Sequence, residues 1–176
     1  MELETIWGLP AHPLLVHLPV VLIPLCAIGA IAIVFIPTWR PVLGWILVAL
    51  AGAGTIAAQL ASGSGEALEE ALDEESDLLE RHAELGETFI WFALAFFLVL
   101  LGFMVWDTMQ RRRSSGEDGG GGRSVTRTPI AIVLSALLVL SGVAAGLRVY
   151  QVGHSGAKTV WQEDAGVFGN AETGGG

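Results

Sequence analysis

The chain has few charged residues, few basic residues and almost no cysteine, and each shortage excludes a class of protein. Charged residues make up 15% of the 176 residues, against about 25% in an average soluble domain. The single cysteine, Cys26, excludes an intrachain disulfide and a cysteine-based zinc knuckle. With 9 basic residues, 18 acidic residues and a net charge of −9, the chain is not expected to bind nucleic acid.

The sequence consists mainly of long apolar runs separated by charged segments, a pattern unlike that of a soluble protein. Hydrophobic residues account for 52% of the chain, and the mean hydropathy is +0.60. A helix that crosses a bilayer needs roughly 20 apolar residues, and four runs meet this requirement, at about 14–36, 42–61, 88–106 and 129–149. The first run is expected to be a retained span, since no basic residue precedes it and it is too long for a signal peptide. The expected fold is therefore all-α, a four-helix transmembrane bundle that forms a single domain over residues 1–162.

The distribution of basic residues predicts the direction of the spans. Six arginines fall in the loops on one side (Arg40, Arg111, Arg112, Arg113, Arg123 and Arg127), and three basic residues fall on the other (Arg81, Arg148 and Lys158). Because basic loops face the cytoplasm, both termini are expected to be exoplasmic in a bacterial cytoplasmic membrane. Residues 111–127 are then a flexible cytoplasmic linker, and residues 163–176 a disordered tail.

The acidity of the chain is confined to the segment between the second and third spans. Ten acidic residues and one base lie between Glu66 and Glu87, and leucines between them indicate an acidic amphipathic loop. One interpretation is a solvated face that keeps the segment out of the membrane. The other is a vestibule that attracts cations, with candidate residues Glu69, Glu70, Glu74 and Glu75.

All four histidines fall at the predicted outer ends of the spans. His12 and His17 open the first span, His82 precedes the third and His154 follows the fourth, while Glu66 follows the second. Imidazole and carboxylate are ligands of transition metals, and two facing histidines hold a haem. The sequence thus predicts a metal or haem site at His17, His82, Glu66, His12 and His154. A proton-linked role and structural hydrogen bonds at the membrane interface are the alternatives.

Within this cluster, His17 is the expected bundle-facing histidine, because Pro13 is expected to leave His12 ahead of the helix. The aromatic residues of the third span are expected to face lipid, whereas small residues at four-residue spacing on the second and fourth spans favour close packing, within the bundle or between copies.

No enzyme signature accompanies the histidines. The chain has no Gly-x-Ser-x-Gly elbow, no phosphate-binding loop and no dinucleotide-binding glycine pattern, so a non-enzymatic membrane protein is expected. Two other functions remain open. The first is a small transporter or channel subunit that uses the acidic loop as its entrance, and the second is a structural or assembly partner of other membrane proteins.

Four short motifs resemble those of a known family. They are GLPAHPLLVH from Gly8, SGEALEE from Ser64, HAELG from His82 and VGHSGA from Val152. Together they resemble a bacterial family of small membrane proteins known as domain of unknown function 2231. The resemblance implies a four-span membrane protein with no established reaction. It places the family motifs at the outer end of the bundle, with Gly153–Ala157 as a turn.

Overall fold

The computed structural model describes the backbone of residues 5–6, 9–72, 77–116 and 128–171. Within these ranges it describes the side chains of residues 15–65, 80–113 and 128–158. Glu74 and Glu75 of the predicted vestibule, and most of the predicted linker, therefore lie outside the described residues.

Four long helices make up the described chain, as the all-α prediction requires. They are α1 (Ala11–Phe35), α2 (Trp45–Leu72), α3 (Asp77–Gly116) and α4 (Pro129–Ala171). All four are long and apolar enough to cross a membrane. Before α1, the two-residue strands β1 (Thr5–Ile6) and β2 (Leu9–Pro10) pair antiparallel, a feature that the all-α prediction did not include.

Prolines and a capping threonine set two of the helix boundaries. The connection from α1 to α2 is a 3-10 turn (Pro37–Trp39) followed by a π-helical turn (Arg40–Gly44). At the start of α4, the hydroxyl of Thr128 accepts a hydrogen bond from the backbone N–H of Ala131 at 3.3 Å. Pro129 follows as the first helical residue, where a missing N–H costs nothing. The fourth span thus begins with a capped first turn.

Consecutive helices run antiparallel and close into a ring. Gly29 of α1 packs against Leu47 of α2, and Gly54 of α2 packs against Ile23 of α1. Residues later in α1 therefore contact residues earlier in α2, so the two helices are antiparallel. The α2–α3 and α3–α4 contacts follow the same pattern, and Gly142 of α4 contacts Ala27 of α1, which closes the ring. The starts of α1 and α3 and the ends of α2 and α4 therefore share one end of the bundle, here called the histidine end. The opposite end, with the α1–α2 connection, is called the arginine end.

The core is apolar and follows a near-heptad spacing on each helix. On α3 the buried side chains are Phe89, Ala93, Phe96, Leu100, Phe103, Met104 and Asp107. Phe89, Phe96 and Phe103 are therefore buried, so the expectation that the aromatic residues of this span face lipid is wrong for them. These rings fill space opposite small residues, since Phe96 packs against Gly142. Trp91 is 70% exposed and does lie on the outer face.

The helices extend beyond the predicted spans at the histidine end. Helix α2 continues to Leu72 and α3 begins at Asp77, so much of the predicted acidic loop is helical. Helix α4 continues to Ala171, through the predicted Gly153–Ala157 turn and into the predicted tail. The predicted spans were given the length that a bilayer requires. A helix can continue beyond the bilayer, because each further residue adds one hydrogen bond. In α4 no proline follows Pro129 to interrupt the helix.

Candidate functional site

His82 is the histidine that the fold places between two helices. Its Nδ1 lies 2.9 Å from Oγ of Ser155, so α3 and α4 are joined by this side-chain contact. The Ser155 hydroxyl donates to the carbonyl oxygen of Val152 at 2.9 Å. In the tautomer that carries its proton on Nδ1, His82 donates to Ser155 Oγ, whose own hydrogen goes to Val152. That tautomer has its lone pair on Nε2, which is the form that binds a metal.

Gly156 gives the His82 ring the space that it occupies. A Cβ atom at position 156 would lie 2.9 Å from His82 Cε1 and 3.3 Å from Nδ1, closer than ordinary van der Waals contact. Gly153, one turn earlier on α4, has nothing within 4 Å of the same hypothetical atom. The two glycines of this motif therefore differ, and Gly156 is the one whose missing side chain leaves room for the His82 ring in its observed position.

His154 lies apart from this pair, on the outside of α4. Its ring stacks on Tyr150 with centroids 5.8 Å apart and planes inclined by 6°. It lines a cleft of about 360 Å³ between α3 and α4 together with Arg81, Arg148 and Lys158. Three cationic neighbours make this a poor setting for a bound cation, so His154 is better placed to contact an anion.

His17 does not face the bundle, contrary to the prediction. The buried face of α1 runs through Pro19, Ile23 and Cys26, and His17 lies on the opposite side of the helix, where it is exposed beside Leu18. The prediction also assumed that Pro13 leaves His12 ahead of the helix. Helix α1 instead begins at Ala11, because the first turn has unpaired N–H groups and so tolerates proline.

The remaining predicted site residues are described through their backbone alone. His12 lies in the first turn of α1, and Glu66, Glu69 and Glu70 lie in the last turns of α2. If the observed antiparallel register is continued along the helices, His12, Glu66 and His82 come to the same level as Gly156. His17 lies about one and a half turns deeper in the bundle. Among the side chains that the structure describes, no three metal-ligating groups come together.

A buried ion-pair cluster at the arginine end was not predicted. Arg40 and Asp107 are each only 1% exposed, and Arg40 Nη1 lies 3.0 Å from Asp107 Oδ1. Arg111 Nε contacts the other carboxylate oxygen at 2.6 Å, one turn later on α3. The prediction counted Arg40 only as a basic loop residue and gave no role to Asp107, which directly follows the third predicted span. The available signal was a lone acidic residue at the edge of an apolar run, close to several arginines.

Arg40 also satisfies the end of α1. Its Nε donates to the carbonyl oxygen of Ile33 at 2.7 Å, and its Nη2 donates to that of Val34 at 3.0 Å. The last carbonyls of a helix have no partner within the helix and carry its negative dipole end, so a guanidinium is well suited to this position. The side chain also lies over the Phe103 ring, 5.1 Å from its centroid. Among the described residues, no buried polar side-chain atom lacks a hydrogen-bond partner. The cluster therefore joins the α1–α2 connection to α3 through fully paired groups.

Comparison with known proteins identifies a family without an assigned activity. No curated protein and no solved structure matches the chain. A family model described as a predicted membrane protein, domain of unknown function 2231, matches residues 8–169. The matched range runs from the segment before α1 almost to the end of α4, and so it includes the His82–Ser155 contact and the Arg40–Asp107 pair. The chain therefore belongs to the family of predicted membrane proteins called domain of unknown function 2231.

Proposed function

We propose that this protein is a non-enzymatic membrane protein that binds a transition-metal ion or a haem at its histidine end, with His82 as the central donor. The single observation that supports this is the hydrogen bond between His82 Nδ1 and Ser155 Oγ. Metal-bound histidines generally donate their other ring N–H to a partner that fixes the tautomer and the orientation of the ring. Ser155 is such a partner, and it is itself held by the Val152 carbonyl.

Two further donors are proposed from the helix register. Continuing the antiparallel register brings the backbones of His12 on α1 and Glu66 on α2 to the level of His82. Because α1 and α3 face each other across the ring, His12 and His82 are proposed as the facing pair of histidines that a haem requires. Carboxylate from Glu66 would complete a mixed nitrogen and oxygen set suited to a divalent transition metal. His17 and His154 are not members of the proposed site.

The proposed topology follows from the loop charges. Six of the nine basic residues flank the arginine end, so this end is proposed to face the cytoplasm of a bacterium and the histidine end the outside. The site would then be open to ligands from outside the cytoplasm.

An experiment on the purified full chain tests the binding proposal. The protein is extracted in mild detergent, its metal content is measured by mass spectrometry, and its visible spectrum is recorded before and after addition of haem. We expect stoichiometric metal or a Soret band, lost in His82→Ala and retained in His17→Ala and His154→Ala. The latter two are matched controls because they remove histidines from the outer surface. No metal and no Soret band in the unaltered protein overturns the proposal, as does equal loss in all three variants.

Transport through the bundle itself finds less support. The fully buried side chains at its centre are apolar and include Ile23, Phe96 and Leu100, so a polar path would need to lie between copies of the chain. Ion flux into liposomes, measured beside the metal analysis, separates this alternative from ligand binding.

A further inference from the structure

We propose that the cleft between α3 and α4 at the histidine end is a binding site for an anionic phospholipid, with its phosphate held by Arg81, Arg148 and Lys158. The cleft has a volume of about 360 Å³, and its polar lining also includes Tyr150, Gln151, His154 and Ser155. It adjoins the proposed ligand site at His82 through Ser155, but none of its three cationic residues belongs to that site.

The distribution of basic residues is the first argument. Nine basic residues occur in the chain, and six of them flank the arginine end, where the bias of cytoplasmic loops accounts for them. Every one of the other three lines this single cleft. That bias does not explain why these three cations converge on a groove at the opposite end of the bundle. A groove lined by charges of one sign raises the local concentration of counter-ions, here anions.

The absence of counter-charge is the second argument. Within the described part of the chain, Arg81, Arg148 and Lys158 form no ion pair, and no carboxylate lines the cleft. Glu80 and Glu84, the described acidic neighbours of Arg81 on its own helix, are exposed and are not among the residues that line the cleft. Among the described side chains, those that line the cleft therefore carry only positive charge, although the protein as a whole carries −9.

The position of Arg148 is the third argument, because it lies deepest. Its guanidinium carbon is 4.7 Å from the centroid of the Phe92 ring, which holds the charged group at the border of the apolar bundle. A partly buried arginine in a membrane span is costly unless it meets an anion or water. A phosphate accepts two parallel hydrogen bonds from one guanidinium and so satisfies it well.

A stripe of exposed apolar side chains indicates a lipid rather than a free anion. Leu140, Val143 and Leu147 lie on one face of α4 and are 66%, 46% and 59% exposed. At helical spacing the same face continues to Tyr150 and His154, which line the cleft. A phospholipid in the cleft would therefore lay its acyl chains along this stripe while its headgroup contacts the three cations.

The test uses the full chain in nanodiscs of phosphatidylcholine with a minor fraction of phosphatidylglycerol. Lipid that stays bound after extraction into detergent is identified by native mass spectrometry. We expect selective retention of phosphatidylglycerol and about tenfold weaker retention in Arg148→Gln, the usual factor for one hydrogen bond to a charged group. The triple variant Arg81→Gln, Arg148→Gln and Lys158→Gln should lose the selectivity. The matched control, Arg112→Gln with Arg113→Gln, removes exposed charges at the other end and should retain it.

Lys158→Glu guards against a folding artefact, because Lys158 is exposed and its reversal does not disturb the core. This variant should also retain less phosphatidylglycerol, with unchanged helix content by circular dichroism. Equal retention of both lipids by the unaltered protein overturns the proposal. Displacement of the lipid by inorganic phosphate at matched concentration also overturns it, since the cleft would then be a site for a free anion.

Discussion

Arg40 and Asp107 form an ion pair of 3.0 Å in which neither side chain is more than 2% exposed. All three nitrogen groups of Arg40 are engaged, with the carboxylate and with the two carbonyls that end α1. Asp107 in turn accepts from both Arg40 and Arg111. The pair thus connects the end of one span to the next-but-one span, and its removal has predictable consequences.

Asp107→Asn leaves the buried guanidinium of Arg40 without a counter-charge. Breaking a buried pair on one side costs about 3–5 kcal/mol, so we expect the free energy of unfolding to fall by roughly that amount. Unfolding by denaturing detergent in mixed micelles, followed by circular dichroism, measures the change.

Two variants serve as controls for this prediction. Arg111→Gln removes a partner that is 41% exposed, and its cost should stay near 1 kcal/mol, as for exposed pairs. The double variant Arg40→Met with Asp107→Leu removes both charges together and should recover much of the stability that Asp107→Asn loses. A loss in Asp107→Asn no larger than that in Arg111→Gln would contradict the role of the pair.

Gly142→Leu and Gly146→Leu are expected to differ, although the two glycines stand one turn apart on α4. A Cβ at Gly142 would lie 3.1 Å from Phe96 and 3.4 Å from Ala27, so a larger side chain forces α1, α3 and α4 apart. We expect a loss of about 1–3 kcal/mol in the free energy of unfolding, as for overpacked cores. Gly146 has nothing within 4 Å of its hypothetical Cβ, so its variant should unfold like the unaltered protein. Thermal unfolding in detergent compares them, and equal destabilisation would show that the contact at Gly142 is unimportant.

The four spans could be predicted from the sequence, because lipid requires long apolar helices and hydropathy detects them directly. The sequence did not predict which side of each helix faces inward, because apolar residues occupy both the core and the lipid surface of a membrane bundle. Phe96 and Trp91 illustrate this, because both are aromatic residues of one span, yet one is buried and the other exposed. The near-heptad spacing from Phe89 to Asp107 was the informative pattern, and it also predicts that Asp107 lies inside.

The candidate site could be predicted only in part. The sequence predicts that the histidines share one end of the bundle, because an even number of membrane crossings separates them. Their separation into an interhelical His82, a cleft-lining His154 and an outward His17 depends on helix rotation, which composition does not determine. The Ser155 and Gly156 contacts of His82 depend on the register between α3 and α4, and this register is set by packing over the whole length of both helices.

Gly156→Ala should weaken ligand binding at His82 without removing any donor. The added methyl group would lie 2.9 Å from His82 Cε1 and so displaces the imidazole from its hydrogen bond to Ser155. Loss of such a supporting contact typically lowers metal affinity about 10- to 100-fold. Titration with the metal or haem found in the purified protein measures it. Gly153→Ala is the matched control, with open space at the same distance, and identical affinities for both variants would contradict the role given to Gly156.

Labelling of single cysteines in intact cells tests the proposed topology. The native Cys26 is completely buried and its Sγ lies 3.7 Å from the Leu47 carbonyl oxygen, so the unaltered chain should not react with a membrane-impermeant maleimide. In a Cys26→Ser background, Ala157→Cys and Arg113→Cys place a thiol at exposed positions of opposite ends. Because the arginine end is expected to face the cytoplasm, Ala157→Cys should react in intact cells and Arg113→Cys only after permeabilisation. The reverse pattern would place His82 and the basic cleft on the cytoplasmic side, where both would meet a different pool of ligands and lipids.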